Sequence, residues 1–155
     1  MSILEAKRFT FEQLLAEKGF LVYTNVGISM MPLLRQRRDI IEIRPLFGRA
    51  HKYDVVLYKF DEKYILHRVL KVQPNGYVIC GDHNIRREYG ITDDMILGVM
   101  TRVIRDGKSI YPTDWKYKLY VHLWCDFYPI RAVILYVQLL IHAAGRRVKE
   151  WFTEK

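Results

Sequence analysis

A serine attacks an amide only when another group takes its proton, and imidazole is the side chain best matched to that task near neutral pH. Ser29 sits in a Gly27-Ile28-Ser29 turn that runs on into Met30-Met31-Pro32-Leu33. His67 follows in the strand-like run Tyr64-Ile65-Leu66-His67-Arg68-Val69-Leu70. Gly81-Asp82-His83-Asn84 then supplies a carboxylate able to hold an imidazole in one tautomer. Each residue alone has a plain reading as a turn serine, a strand histidine and a turn aspartate. Their order and local context favour a nucleophile, a general base and an orienting acid.

Three blocks in the same order resemble the type I signal peptidase clan, which also contains the LexA-like self-cleaving repressors. The first is Gly27-Ile28-Ser29-Met30-Met31-Pro32-Leu33. The second is Tyr53-Asp54-Val55-Val56-Leu57-Tyr58 with Ile65-Leu66-His67-Arg68-Val69-Leu70. The third is Gly81-Asp82-His83-Asn84 with Ile96-Leu97-Gly98-Val99. Bacterial members place a lysine where this chain has His67, so the chain is similar to the histidine-containing endoplasmic-reticulum and archaeal type. The resemblance implies Ser29 as nucleophile and His67 as base. It makes Asp82 the leading orienting carboxylate, with Glu88, which stands where relatives carry a second aspartate, as the runner-up. Gly27 occupies a position where relatives often carry a serine, which leaves the Ser29 amide as the main oxyanion donor. Met30 is expected to pack the turn against the core and Pro32 to fix the chain's exit. With Gly27 they form the expected substrate and oxyanion side of the site. Tyr53 and His83 depart from the family's glycine and asparagine, and His83 is read as a turn residue.

The elements that must position these groups are short. Thr10 with Gln13 three residues on and Gly19 at the end predict a helix over 10–19. Strands are expected over 20–26, 40–43, 77–80 and 97–104, with a hairpin over 54–72 turning at Asp61-Glu62-Lys63. Thr92 is expected to cap a helical turn, which gives Asp93 and Asp94 a helix-dipole role. Short strands with frequent turns predict a mainly β fold, a coiled antiparallel sheet or partial barrel of the signal-peptidase-like type. From 116 the β turn signals stop, and Pro129 divides an apolar, aromatic tail into two helical candidates. Arg131, Gln138, His142, Arg146 and Lys149 recur there at helical spacing as one polar stripe. A catalytic domain over 1–115 and an apolar or amphipathic tail over 116–155 follow, the tail packed on the domain or associated with a membrane.

The chain has 155 residues, half of them hydrophobic, enough for one substantial core. Its formal charge of +8 asks for an acidic partner. Neither zinc-type spacing nor an RNP-like aromatic motif is present, which argues against nucleic acid and for an anionic membrane surface. Arg146, Arg147 and Lys149 beside Trp151 and Phe152 suit such an interface. Cys80 and Cys125 are expected to be reduced thiols, and His51, His122 and His142 to be surface or tail residues. The charged start, Met1-Ser2-Ile3-Leu4-Glu5-Ala6-Lys7-Arg8, does not read as a signal peptide, which predicts a cytoplasmic or peripheral protein.

The predicted function is a serine endopeptidase acting on leader or signal-type peptides without metal or cofactor. Its rivals are a catalytically silent module that binds peptide or membrane, and a LexA-like regulator that cleaves itself.

Overall fold

The computed structural model describes residues 9–127, 129, 131–138, 140 and 141. Its centre is a hairpin of β3 (Val55–Phe60) and β4 (Lys63–Gln73). Asp61 and Glu62 make the turn with φ of 45° and 61°, the left-handed pair that matches the twist of a two-residue hairpin. Around it lie β1 (Leu21–Thr24), β2 (Ile40–Arg44), β5 (Gly76–Cys80), β6 (Glu88–Ile91), β7 (Ile96–Arg105) and β8 (Lys108–Ile110). The order across the sheet is β1-β2-β7-β3-β4-β5-β6, with β8 also on β7 and every pairing antiparallel. The fold is therefore mainly antiparallel β, as the turn spacing predicts.

Strand alternation gives the sheet two apolar faces. Val55, Leu57 and Leu66 join Met30, Leu34, Ile41, Ile43 and Met100 on one side. Val56, Tyr58, Val69, Tyr77, Ile79 and Ile91 form a second core on the other. Helix α1 (Phe11–Lys18) closes the end of the first core with Leu15. It starts at a capping box of Thr10 with Gln13 and stops at Gly19, whose φ is 71°.

The tail expected from 116 begins as part of this core. Helix α2 (Trp115–Val121) runs into a π-helical turn over His122–Asp126, and Tyr117, Val121 and Cys125 pack with the first core. Residues 131–138 are helical again. Arg131 and Leu135 turn inward at 1% and 7% exposure, whereas Val133, Ile134, Tyr136, Val137, Leu140 and Ile141 face outward. The expected polar stripe is thus corrected at its first member: Arg131 points into the protein. Gln138 is exposed, and His142, Arg146 and Lys149 lie outside the described residues, as do Arg147, Trp151 and Phe152. Among the described residues no helix is long and apolar enough to cross a membrane.

Thr92 precedes a 3-10 turn over Asp93–Met95 but makes no side-chain cap. Asp93 instead bonds the Tyr77 hydroxyl and the Arg49 guanidinium, so its role is tertiary rather than a complement to a helix dipole. Cys80 and Cys125 are free and buried.

Candidate active site

The Ser29 turn is anchored from behind. Met30 and Leu34 are fully buried in the first core. The Met31 N–H donates to Ile28 O and the Leu34 N–H to Met30 O, 3.0 and 2.9 Å away. Neither of these bonds uses the Ser29 amide. Beyond the turn, Arg105 donates to Leu33 O and to the buried Asp39 carboxylate, which also takes the Arg35 amide and guanidinium. On the near side Asn25 Nδ2 donates to Gly27 O at 2.8 Å, and Gln36 Nε2 to Val26 O at 2.6 Å. Gly27 and Pro32 are exposed beside the half-buried Ser29. The serine therefore sits at the surface on a backbone fixed at both ends.

His67 lies mid-β4, opposite Val56 of β3, and is 6% exposed. Its Nδ1 is 2.9 Å from Glu88 Oε1 and 3.2 Å from the Tyr58 hydroxyl. Tyr58 in turn donates to Glu88 Oε2. A carboxylate can only accept, so this network places the imidazole proton on Nδ1 and leaves the Nε2 lone pair for the other side. Burial lowers the His67 pKa from its ordinary value, against the opposing pull of Glu88 and, further off, Asp82. A buried, neutral imidazole with an open Nε2 is the state a general base requires.

The structure sets Glu88, and not Asp82, beside the imidazole. The sequence ranks Asp82 first, but Asp82 is taken by Arg68, whose Nε and Nη2 donate to its two oxygens at 2.8 and 2.7 Å. Tyr120 adds a hydroxyl at 3.0 Å. Alternation explains the outcome, because adjacent residues of a strand project to opposite faces. Arg68 shares its face with Tyr117 and Asp82, and His67 shares the other with Tyr58 and Glu88. Burial alone would lower the Arg68 pKa, but the Asp82 charge more than offsets it and holds the guanidinium ionised. Asp82 is a structural ion-pair partner, and Glu88 takes the imidazole.

The two halves of the site meet at Gly81. A methyl group there would lie 2.5 Å from Ser29 O, 2.8 Å from Asn84 Nδ2 and 3.0 Å from His67 Cδ2. The Ser29 carbonyl and the Cδ2 corner of the His67 ring thus both lie against a glycine that has no room for a side chain. The His83 N–H donates to Ser29 O at 2.7 Å and ties the turn over 81–84 to the serine. His83 contributes this backbone bond, a turn role as its context predicts.

A groove of about 540 Å³ leads away from Ser29. One wall is Tyr23, Asn25, Val26 and Gly27, and the other is Lys63, Tyr64, Ile65 and Leu66. Both walls carry free strand edges among the described residues. β1 pairs with β2 alone, and Lys63–Leu66 pair only with β3, because β5 meets β4 from Arg68 onward. Phe11, its ring tilted against those of Tyr64 and Tyr23 at 4.5 and 5.4 Å, also lines the groove.

Sequence reasoning missed Tyr58, Tyr120, Trp124 and Arg131. The first was legible in part, since β3 pairs with the strand of His67. The other three reach the site from the tail, where Arg131 is marked only as a member of the polar stripe and no motif marks Tyr120 or Trp124. His51 and His122 are exposed and bonded to Asp54 and Asp126, away from Ser29. His142 lies outside the described residues. The chain matches no protein-family model and no curated protein.

Proposed function

We propose that the protein is a serine endopeptidase of the signal-peptidase-like type, its sheet being that family's coiled β fold. The observation that carries this reading is the placement of His67, whose Nδ1 is held by Glu88 while its Cδ2 and the Ser29 carbonyl both lie against Gly81. Ser29 Oγ attacks the scissile carbonyl carbon and its proton passes to His67 Nε2. The imidazolium, steadied by Glu88, then protonates the leaving amine. Water activated by the same imidazole hydrolyses the acyl-serine ester and restores the enzyme. The Ser29 amide receives the developing oxyanion.

The substrate on this reading is an extended leader or signal-type peptide laid into the groove as an added strand between Asn25–Gly27 and Lys63–Leu66. Two free edges leading to one serine support that choice. The outward apolar face of residues 133–141 supports an anionic membrane as a second partner. It carries no charged residue among those described, and Arg146, Arg147 and Lys149 follow it in sequence.

A fluorophosphonate probe tests the chemistry, with the labelled residue located by mass spectrometry. Labelling of Ser29 in the parent chain, and its loss in His67→Ala, is the expected result. A chain that is never labelled, yet still binds extended peptides, would be a silent binding module. A time-dependent loss of its own mass would instead favour self-cleavage.

A further inference from the structure

Arg131 is among the most deeply buried side chains in the molecule, and it comes from the tail rather than from any part of the sheet. Its guanidinium donates through Nη2 to Gly81 O at 3.0 Å and to Asn84 O, and touches Cys80 Sγ at 3.2 Å. From the π-helical turn earlier in the chain, Trp124 Nε1 donates to Asp82 O at 2.7 Å. Three of the four carbonyls over 81–84 are therefore held by the C-terminal segment. The same four residues supply the N–H bonded to Ser29 O and the glycine wedged between Ser29 and the His67 ring.

We propose that Arg131 is a positioning residue for the reaction. It fixes the turn over 81–84, and through that turn the separation of Ser29 from His67, so the C-terminal helix belongs to the catalytic unit. This inference rests on the serine-peptidase reading above. A cation is suited to the role because each carbonyl it binds is a partial negative charge, and charge-assisted bonds are about twice as strong as neutral ones. One nitrogen, Nη2, serves both carbonyls with its two N–H groups. Displacing a reacting pair by about 1 Å costs roughly a hundredfold in rate, so the clamp acts on turnover rather than on groove affinity. Arg131 faces the turn from a helix whose other face lies outside the protein.

The test uses the full chain and two readouts that a generally structural role does not move together. In Arg131→Met the His83 amide, bonded to Ser29 O, should exchange with solvent about tenfold faster by NMR, the cost of losing a bond of this kind. Amides of β2 and β7 should keep their rates. The fluorophosphonate labelling rate of Ser29 should fall roughly a hundredfold, and for a cleavable peptide kcat should fall with KM little changed. Arg131→Lys should give intermediate values, and it carries the test with the same readouts if the Met variant does not fold. Millimolar guanidinium should speed labelling of Arg131→Ala, whereas Phe47→Ala, on an exposed loop before β3, should match the parent in both readouts. Unchanged His83 exchange, or unchanged labelling despite faster exchange, overturns the proposal. A parent chain that never labels defeats the serine-peptidase reading instead, and exchange at His83 alone then decides whether Arg131 holds the turn.

Discussion

His67 and Arg68 are neighbours in sequence and stand back to back across the sheet. The imidazole reaches Glu88 at 2.9 Å on one face, and the guanidinium reaches Asp82 at 2.7 Å on the other. One strand thereby serves two functions in successive residues. On the proposed reading the His67–Glu88 pair serves proton transfer, and the buried Arg68–Asp82 pair fastens β4 to the turn over 81–84. Breaking either should leave a distinct signature.

Glu88→Gln keeps the shape of the side chain but removes the charge that steadies an imidazolium. Peptide turnover should drop by roughly a hundredfold or more, with the midpoint of urea unfolding close to that of the parent. Asp82→Asn should do the reverse in kind. It strands a buried guanidinium, a loss of about 3–5 kcal/mol, and should lower the urea midpoint strongly. A ranking in which Asp82→Asn stays stable and only Glu88→Gln stays active would return the orienting role to Asp82.

Ser29→Ala and His67→Ala should each abolish most of the activity, and the double variant should be little worse than either single one. Groups that act as one catalytic unit are strongly non-additive. Steady-state cleavage of a short soluble peptide measures this directly. Independent, multiplicative losses would mean that the two residues do not work on the same proton.

The pH profile follows from the burial of His67. Its pKa is lowered from 6.5, with burial as the largest influence, and the neutral form is the base. Activity should rise with pH through a limb whose midpoint lies below that value. Stability moves in the same sense. Between the folded pKa and about 6.5 the unfolded chain holds the extra proton, so acidification through that window costs folding free energy. An NMR titration of His67 beside the rate profile checks both. A limb that begins above about pH 8 would point to another base.

Gly81→Ala should damage catalysis more than fold. The added methyl meets the Ser29 carbonyl at 2.5 Å and the His67 ring at 3.0 Å, and backbone cannot yield as a flexible side-chain end can. Something at the site must move, and a displacement of about 1 Å there costs roughly a hundredfold. Near-parental turnover in this variant would show that the serine and the imidazole tolerate separation.

The outer face of the C-terminal helix predicts co-sedimentation with anionic liposomes that weakens with added salt, over a Debye length of about 8 Å at physiological ionic strength. Val137→Asp and Ile141→Asp together should abolish it. Deleting the chain from 130 onward should cost cleavage activity as well as binding, because Arg131 is lost with the apolar face.

Local chemistry was the legible part of this protein. The Thr10 capping box and Gly19 stop are contained within one helix, and they locate α1. Ser29 and His67 stand out because nearby residues mark them. What the sequence hid is which way things face. Asp82 and Glu88 both lie downstream of His67, and the choice between them depends on strand alternation across three pairings. Periodicity puts Arg131 and Gln138 on one helix but does not say whether that face meets solvent or protein. β6 and β8 escaped notice because four residues containing Gly90, and three after a turn, carry too little pattern to register as strands.

The gap between β1 and the first half of β4 also bears on how firmly the molecule holds together. Exposed edges invite any strand of suitable shape, and a peptide seated there would add a strand between two edges that are free among the described residues. Binding to the folded state alone shifts the folding equilibrium by mass action, about 2.7 kcal/mol at a hundred times the dissociation constant. On this view substrate is also a folding partner. Melting temperature becomes a binding assay that needs no turnover, and Ser29→Ala, unable to consume its guest, is the form in which to run it.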